Sequence, residues 1–167
     1  MDKKLDCSEC KRKIIGKDYF LVDSLPVCYQ CLFGNTEPLA IYPIGIVHCI
    51  NSNGISRIEL FPYQRRFTHK LEEEKWLSII YYLHQTHQIR TKFKRGKEGN
   101  GKEVGVFASR TPHRTSRIAV SQVELIKVSD ANIHVKGLDA FEGSPVLDIK
   151  AVKYQEKKHA EKSETAQ

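Results

Sequence analysis

Near its start the chain carries two C-x-x-C pairs, CSEC at Cys7–Cys10 and CYQC at Cys28–Cys31, separated by seventeen residues. A tetrahedral zinc ion takes four soft ligands at about 2.3 Å, and each C-x-x-C turn supplies two neighbouring thiolates. The intervening residues are enough for a hairpin, with Gly16 and Ser24-Leu25-Pro26 as turn material. This spacing is typical of a zinc ribbon or half of a LIM-type finger. We therefore predict a zinc module over residues 1–37, with Cys7, Cys10, Cys28 and Cys31 as ligands.

The same cysteines admit two other interpretations, a redox pair and disulfides. A thioredoxin-like site needs one C-x-x-C at the start of a helix in a βαβ unit, and the sequence predicts no such unit. Disulfides are rare in the cytoplasm, where we expect this chain. Its N-terminus MDKKLDCSEC lacks the apolar core of a signal peptide, and no run approaches the ~18 apolar residues of a membrane span. Four cysteine ligands leave zinc no open coordination position, which indicates a structural role.

Short strand-like runs dominate the rest of the chain. They are IYPIGIVH, ISRIELF, WLSIIYYL, IRTKFK, VGVFAS, RIAVSQVELIKV, NIHVKGL and PVLDIK. Many short strands separated by turn signals favour a closed or partly closed antiparallel barrel. Only FTHKLEEEKW suggests a helix, a short one with Phe67 and Leu71 as its i,i+4 pair. We predict a mainly β fold, with a small antiparallel β-barrel over residues 38–153 and a flexible polar tail over 154–167.

The positive charge is concentrated in one stretch. The chain has 27 Lys and Arg against 20 Asp and Glu, a formal charge of +7. Between Gln88 and Arg117 there are nine basic residues and two glutamates, so this stretch alone accounts for the whole excess. Such a cluster indicates binding to phosphates, most simply those of nucleic acid, although a solvated face of mixed charges is the other interpretation. The predicted nucleic-acid contacts are Lys92, Lys94, Arg95, Lys97 and Arg117.

Several blocks of the sequence resemble one known family. The blocks GVFASR, within VGVFASRTPHR, and LDAFEGSPVLDIK, within VKGLDAFEGSPVLDIK, are specific to it, and IYPIGIVH, SRIELFPY and YYLHQT are suggestive. From about Ile41 to Lys150 the chain resembles the TrmO/TsaA-like family of S-adenosylmethionine-dependent tRNA methyltransferases, which modify N6 of the threonylcarbamoyl-adenosine next to the anticodon. The resemblance implies a small β-barrel that forms a homodimer, binds S-adenosylmethionine near the subunit interface and acts on tRNA.

The resemblance also implies where the cofactor binds. The positions that match the family's blocks are His84, Gln85, Arg110, Arg114, Leu138, Asp139, Ala140, Phe141 and Gly143. Because the N6 nucleophile must lose a proton, a carboxylate in the cleft would serve as a base, and Asp139 and Asp148 are the catalytic candidates. The other interpretation of each is a turn or strand-end carboxylate that accepts backbone hydrogen bonds.

The chain departs from the family's pattern at three places. Where the family reads R-P-N-P-I-G, this chain has RTSRIA over 114–119, and the later Asp-Gly is Glu142-Gly143. The Pro-Arg-Gln segment after the first strand has no counterpart. If the loop wraps the cofactor, restoring proline at Thr115 and Arg117 is expected to tighten binding. The alternative function is a zinc-containing tRNA- or RNA-binding module of the same fold that has lost methyl transfer. An interaction protein whose zinc module binds a partner is the third possibility.

Overall fold

A computed structural model describes residues 5–49, 54–96 and 101–152, and residue-level statements below concern these. The chain divides into two compact units. The cysteine unit comprises residues 1–40 and 85–117, and the barrel unit comprises 41–84 and 118–167. The segment 85–117, which was expected within the barrel domain, thus clusters with the first forty residues. The division into 1–37, 38–153 and 154–167 stays a prediction, and its polar tail lies outside the described residues.

The cysteine unit consists of strand pairs and one short helix. Its elements are β1 Leu5–Asp6, β2 Lys13–Ile14, β3 Tyr19–Val22, β4 Leu25–Cys28, α1 Tyr29–Phe33, β8 Lys92–Lys94 and β9 Glu103–Gly105. The strands pair as β1-β2, β3-β4 and β8-β9, all antiparallel. The predicted hairpin is present, and its two-residue loop is Asp23-Ser24, whose φ values are +48° and +69°. This is the geometry that matches the twist of a β-hairpin.

The barrel unit contains six antiparallel strands that close on themselves. Their bounds are β5 Gly45–Cys49, β6 Ile55–Leu60, β7 Trp76–Tyr82, β10 Ile118–Ser129, β11 Asn132–Lys136 and β12 Pro145–Ala151. Their order around the barrel is β10-β11-β6-β5-β12-β7. Closure pairs every strand on both sides, so the barrel has no free sheet edge. The predicted fold class, a mainly β chain with a small antiparallel barrel, is confirmed.

Alternating apolar side chains fill the barrel. In β7, Leu77, Ile79 and Tyr81 are buried while their neighbours are only half-buried, as a period of two requires. They pack with Val47, Ile58, Leu60, Val123, Ile133, Val135 and Val146 in one core. The close approach of two strands constrains Gly45, because a Cβ there would lie 2.4 Å from the Glu59 carbonyl oxygen.

Two local predictions need correction. The helix predicted for FTHKLEEEKW, residues 67–76, was wrong, because one 3-10 turn, Gln64–Phe67, ends at its first residue and only a second, Leu71–Glu73, lies within it. Lys70 has a left-handed backbone between them, with a φ of +61°, which interrupts any continuous helix. The run VGVFAS is strand only to Gly105 and continues as the 3-10 turn Val106–Ala108. None of the helices in the described part of the chain has the length and apolar character that a membrane span needs.

Candidate functional site

The structure brings the four predicted metal ligands together. Their Sγ atoms all lie within 4.8 Å of one another, and those of Cys10 and Cys28 are 3.9 Å apart. Bonds of about 2.3 Å to a tetrahedral zinc ion place neighbouring sulfur atoms about 3.8 Å apart, so this cluster fits the ion. Cys7 and Cys10 lie in the turn between β1 and β2, and Cys28 and Cys31 lie where β4 runs into α1.

Hydrogen bonds orient these sulfur atoms. The Cys28 backbone N–H donates to Cys7 Sγ over 3.3 Å, and Arg12 Nε donates to Cys10 Sγ over the same distance. The backbone N–H groups of Cys10 and Cys28 lower the pKa of the Cys7 thiol to about 6. Hydrogen bonding with Cys28 and Cys10 raises the pKa of the Cys31 thiol to about 12. Amides and a guanidinium around sulfur are the environment that stabilises thiolate ligands.

In the barrel unit, the segment 138–144 connects β11 to β12 and carries most of the predicted cofactor contacts. Leu138 and Ala140 pack partly against the barrel core, whereas Asp139 is exposed and Phe141 is 63% exposed. The buried Tyr81 hydroxyl donates a hydrogen bond to the Asp139 carbonyl and contacts Ser121 Oγ at 3.2 Å. The barrel wall therefore holds the segment by its backbone and leaves the Asp139 carboxylate facing solvent.

Gly143 completes the turn of this segment. Its φ is +79°, a conformation that L side chains rarely adopt. Its N–H donates to the Val47 carbonyl over 2.9 Å, and the carbonyl of the next residue, the buried Ser144, accepts from the Val47 N–H over 3.0 Å. Ser144 Oγ lies 3.3 Å from His84 Nδ1. The predicted site residues His84 and Gly143 are thus neighbours, and a Cβ on Gly143 would lie 3.9 Å from His84 Nε2.

The two catalytic candidates differ in surroundings. Asp148 lies on β12 beside a register shift against β7, and its Oδ2 is 2.5 Å from Lys150 Nζ. Its Oδ1 accepts the Ile149 N–H over 2.8 Å, which is the strand-carboxylate arrangement considered as the other interpretation. Asp139 projects from the segment that also holds the predicted contacts Leu138, Ala140, Phe141 and Gly143. Both remain predictions, and the surroundings favour Asp139.

Sequence reasoning missed three residues of this region. They are Tyr81, Ser144 and His48, whose Nδ1 lies 2.8 Å from Glu142 Oε1 and whose Nε2 lies 3.2 Å from Glu59 Oε2. Each acts through a partner far along the chain, so neighbouring residues give no signal. In the sequence, the run Gly143-Ser144-Pro145 was the one sign that Ser144 lies in a tight turn.

The other predicted cofactor residues, Gln85, Arg110 and Arg114, belong to the cysteine unit. Arg114 fastens its own loop: its Nη1 donates to the Ser109 carbonyl over 2.9 Å and to the Thr111 carbonyl over 3.4 Å. Its guanidinium also lies 5.9 Å from the centre of the Phe107 ring. Arg110 is exposed and lines an open cleft of about 620 Å³ together with Phe93, Arg95 and Phe107.

The predicted nucleic-acid contacts also lie in the cysteine unit. Lys92 and Lys94 are on β8, where Lys92 Nζ lies 3.1 Å from Glu103 Oε1. Arg95 Nη2 donates to the Ala108 carbonyl over 2.6 Å, and Arg117 has a φ of +52°. Lys97 lies outside the described residues.

Comparison with known proteins identifies the barrel. The model of the tRNA-methyltransferase O N-terminal domain, TrmO_N, matches residues 47–156, about two thirds of the chain. The chain belongs to the TrmO N-terminal domain family. The TrmO match includes the segment 85–117 but begins after the four cysteines. A TrmO crystal structure superposes on 70% of this chain with a TM-score of 0.56 at 24% identity, which shows the same fold.

The similar curated proteins include S-adenosyl-L-methionine-binding proteins and tRNA methyltransferases. An S-adenosyl-L-methionine-binding protein of Archaeoglobus fulgidus is 33% identical over 99 residues, which are 59% of this chain and 70% of that protein. A mouse tRNA (adenine(37)-N6)-methyltransferase is 36% identical over 81 residues, 48% of this chain but 19% of that enzyme. The match therefore spans about a fifth of the length of the mouse relative.

Proposed function

We propose that this chain is an S-adenosylmethionine-dependent methyltransferase that acts on N6 of threonylcarbamoyl-adenosine next to the anticodon of tRNA. The observation that carries the proposal is the TrmO family match over residues 47–156. The names of the mouse and Archaeoglobus relatives supply the reaction and the cofactor by similarity. The positive charge of the cysteine unit supports a nucleic-acid substrate.

The residues present fit S-adenosylmethionine by their chemistry. In the barrel unit, Leu138 and Ala140 offer apolar surface, the exposed Phe141 ring can cover an adenine, and the Asp139 carboxylate suits a sulfonium. His84, held by Ser144, and Gly143 border this surface. For Gln85, Arg110 and Arg114, which belong to the cysteine unit, the proposed contact with the cofactor rests on the family resemblance alone.

When bound, the cofactor supplies a methyl group activated by a positively charged sulfur. The protein's own part is to position the adenosine amine, to exclude water and to accept the proton that N6 loses. We assign the proton to Asp139, with Asp148 as the second candidate, because Asp148 is already engaged by Lys150 and by the Ile149 N–H.

A methyl-transfer assay tests this function. The purified protein is incubated with radiolabelled S-adenosylmethionine and tRNA that carries threonylcarbamoyl-adenosine, and the nucleosides are analysed by mass spectrometry. Arg110→Ala and Asp139→Asn should abolish N6 methylation, and Asp148→Asn should weaken it less. Asp130→Asn, which changes an exposed carboxylate in a turn, is the control and should be fully active. Absence of transfer by the wild-type chain on this tRNA would contradict the proposal.

The proposed cofactor of the cysteine unit is one structural zinc ion held by Cys7, Cys10, Cys28 and Cys31. We further propose that the protein is a cytoplasmic homodimer. In support, Val120 and Ile126 on β10 are 51% and 44% exposed, which leaves apolar surface on the barrel wall. Light scattering at micromolar concentration should report twice the mass of the chain, and a monomer would contradict this part of the proposal.

One observation favours a second function, a zinc-containing tRNA-binding module without methyl transfer. Arg117 occupies a position where the family pattern has proline, and its φ of +52° is a backbone that proline cannot adopt. The backbone of residues 114–119 therefore follows a different path from a loop that has proline at position 117. Calorimetry with millimolar S-adenosylmethionine, with and without tRNA, decides between the two: no cofactor binding together with salt-dependent tRNA binding selects the module.

A further inference from the structure

Asp23 joins two parts of the cysteine unit. One is the β3-β4 hairpin of the predicted zinc module, called below the four-cysteine module, and the other is the basic segment, whose described residues are 85–96 and 101–117. Asp23 lies in the loop between β3 and β4, and its carboxylate accepts hydrogen bonds from the Thr91 N–H at 3.2 Å and from the Thr91 hydroxyl. The Asp23 N–H donates to the Ile89 carbonyl over 3.0 Å, and Val22 forms a parallel bridge with Ile89, which is 5% exposed. The two segments thus share backbone hydrogen bonds, a charged acceptor and a buried side chain.

The loop that carries Arg110 and Arg114 is also hydrogen-bonded to residues 89–91. The Arg90 N–H donates to the His113 carbonyl over 3.1 Å, and the Val106 N–H donates to the Thr91 carbonyl over 3.0 Å. Residues 89–91 therefore lie between the module's hairpin and the loop that carries Arg110 and Arg114. An interaction that holds the β3-β4 hairpin in place therefore also restrains this loop, through the hydrogen bonds of residues 89–91.

The joined segments form a surface suited to RNA. In the described part of the cysteine unit, twelve Lys and Arg stand against six Asp and Glu, whereas the barrel unit has eight against nine. The cleft there is lined by Arg95 and Arg110 and by two aromatic rings, and no carboxylate is among its described lining residues. Phe107 in this cleft is 84% exposed. Guanidinium groups beside an exposed ring provide phosphate contacts and a stacking platform for an unpaired base.

We propose that the four-cysteine module and the segment 85–117 act as one RNA-binding unit, in which the module's hairpin braces the phosphate- and base-binding surface through Asp23 and Thr91. The proposal rests on the proposed function for the identity of the RNA, a tRNA. It adds a role for the four-cysteine module, to which the proposed methyl transfer assigns none. A braced segment loses less conformational entropy when RNA binds, so breaking the joint weakens binding without removing a single basic residue.

The test measures the affinity of an unmodified tRNA transcript by fluorescence anisotropy at fixed salt. Asp23→Asn retains the turn, because asparagine tolerates positive φ, but removes the charged acceptor; Thr91→Val removes the hydroxyl donor with little change of shape. Asp18→Asn is the matched control, since it removes the same charge from an exposed residue of the same module. Phe107→Ala probes the surface itself, at a side chain that is 84% exposed and that also lies beside the Arg114 guanidinium.

We expect Asp23→Asn and Thr91→Val to weaken tRNA binding about tenfold, although Asp23→Asn makes the protein more positive. Phe107→Ala should weaken binding at least about fivefold, and Asp18→Asn should leave it unchanged or slightly tighter. If Asp23→Asn and Thr91→Val bind tRNA as tightly as the control, the bracing role of the Asp23–Thr91 contact is wrong. If Phe107→Ala binds tRNA as tightly as wild type, the cleft around Phe107 is not the RNA-binding surface. If wild-type protein methylates tRNA while all variants bind normally, this inference alone fails. If wild-type protein neither binds nor methylates tRNA, the proposed function fails with it.

Discussion

Arg117 shows how a single backbone angle limits an argument by resemblance. Prolines at Thr115 and Arg117 were expected to stiffen a cofactor loop, but proline fixes φ near −65° and Arg117 has a φ of +52°. For position 117 that expectation was wrong. Arg117→Pro should lower the free energy of unfolding by at least about 2 kcal/mol relative to Arg117→Gly, which loses the same side chain but accepts this angle. Urea denaturation of the two variants measures the difference, and equal midpoints would contradict it.

Tyr81 gives the proposed cofactor segment a pH dependence. Burial raises the pKa of its phenol, the Asp139 carboxylate raises it further, and the hydrogen bond with Ser121 lowers it. The folded chain holds this proton more tightly than the unfolded chain. Its contribution to stability is therefore complete below a pH of about 10, the ordinary tyrosine value, and is lost as the pH rises through the raised value.

Tyr81→Phe tests this linkage. Between about pH 9 and pH 11 the wild-type free energy of unfolding should fall more steeply than that of the variant. At neutral pH the variant should be about 1–2 kcal/mol less stable, because the Asp139 carbonyl loses its donor. Tyr42→Phe, at a ring that is 82% exposed, is the control and should follow the wild-type curve. Parallel curves for wild type and Tyr81→Phe would refute the linkage.

The four-cysteine module is too small to be held by apolar packing alone. Its aromatic cluster consists of Phe20, Tyr29 and Phe33, with ring centres 5.0 to 6.5 Å apart. Domains of this size need a staple, and a zinc ion held by the four clustered cysteines would supply one. We expect one zinc per chain in protein purified without added metal, measured by elemental analysis. Cys28→Ser should lose the zinc and the amide-exchange protection of the module and of residues 89–91, while the barrel strands keep theirs. Cys49→Ser, outside the two pairs, is the control, and metal-free protein with two disulfides would contradict the prediction.

The strands and the clustering of the four cysteines were predictable because both are encoded locally. Alternation in WLSIIYYL specifies the buried face of β7, and each C-x-x-C places two thiolates in one turn. The contacts that shape the proposed cofactor segment were not predictable, since Tyr81 contacts Asp139, 58 residues away, and His84 contacts Ser144, 60 residues away. Asp23 likewise looks like an ordinary turn residue until Thr91, 68 residues further on, contacts it. Such partners come together only when each unit has folded.

The two units divide the charge of the protein, and this division predicts its response to salt. Basic residues outnumber acidic ones twofold in the described part of the cysteine unit, while the barrel unit is nearly balanced. Neutralising a phosphate releases counterions, so the slope of log affinity against log salt reports how many phosphates the protein neutralises. Lys92→Gln combined with Lys94→Gln should weaken binding of all tRNAs alike and reduce the slope by about two, one for each lysine that no longer meets a phosphate. The matched pair Lys127→Gln and Lys136→Gln makes the same charge change in the barrel unit and should leave the slope as it is. If instead the barrel pair flattens the slope and the β8 pair does not, the RNA follows the barrel, and the basic residues of β8 are only a solvated face.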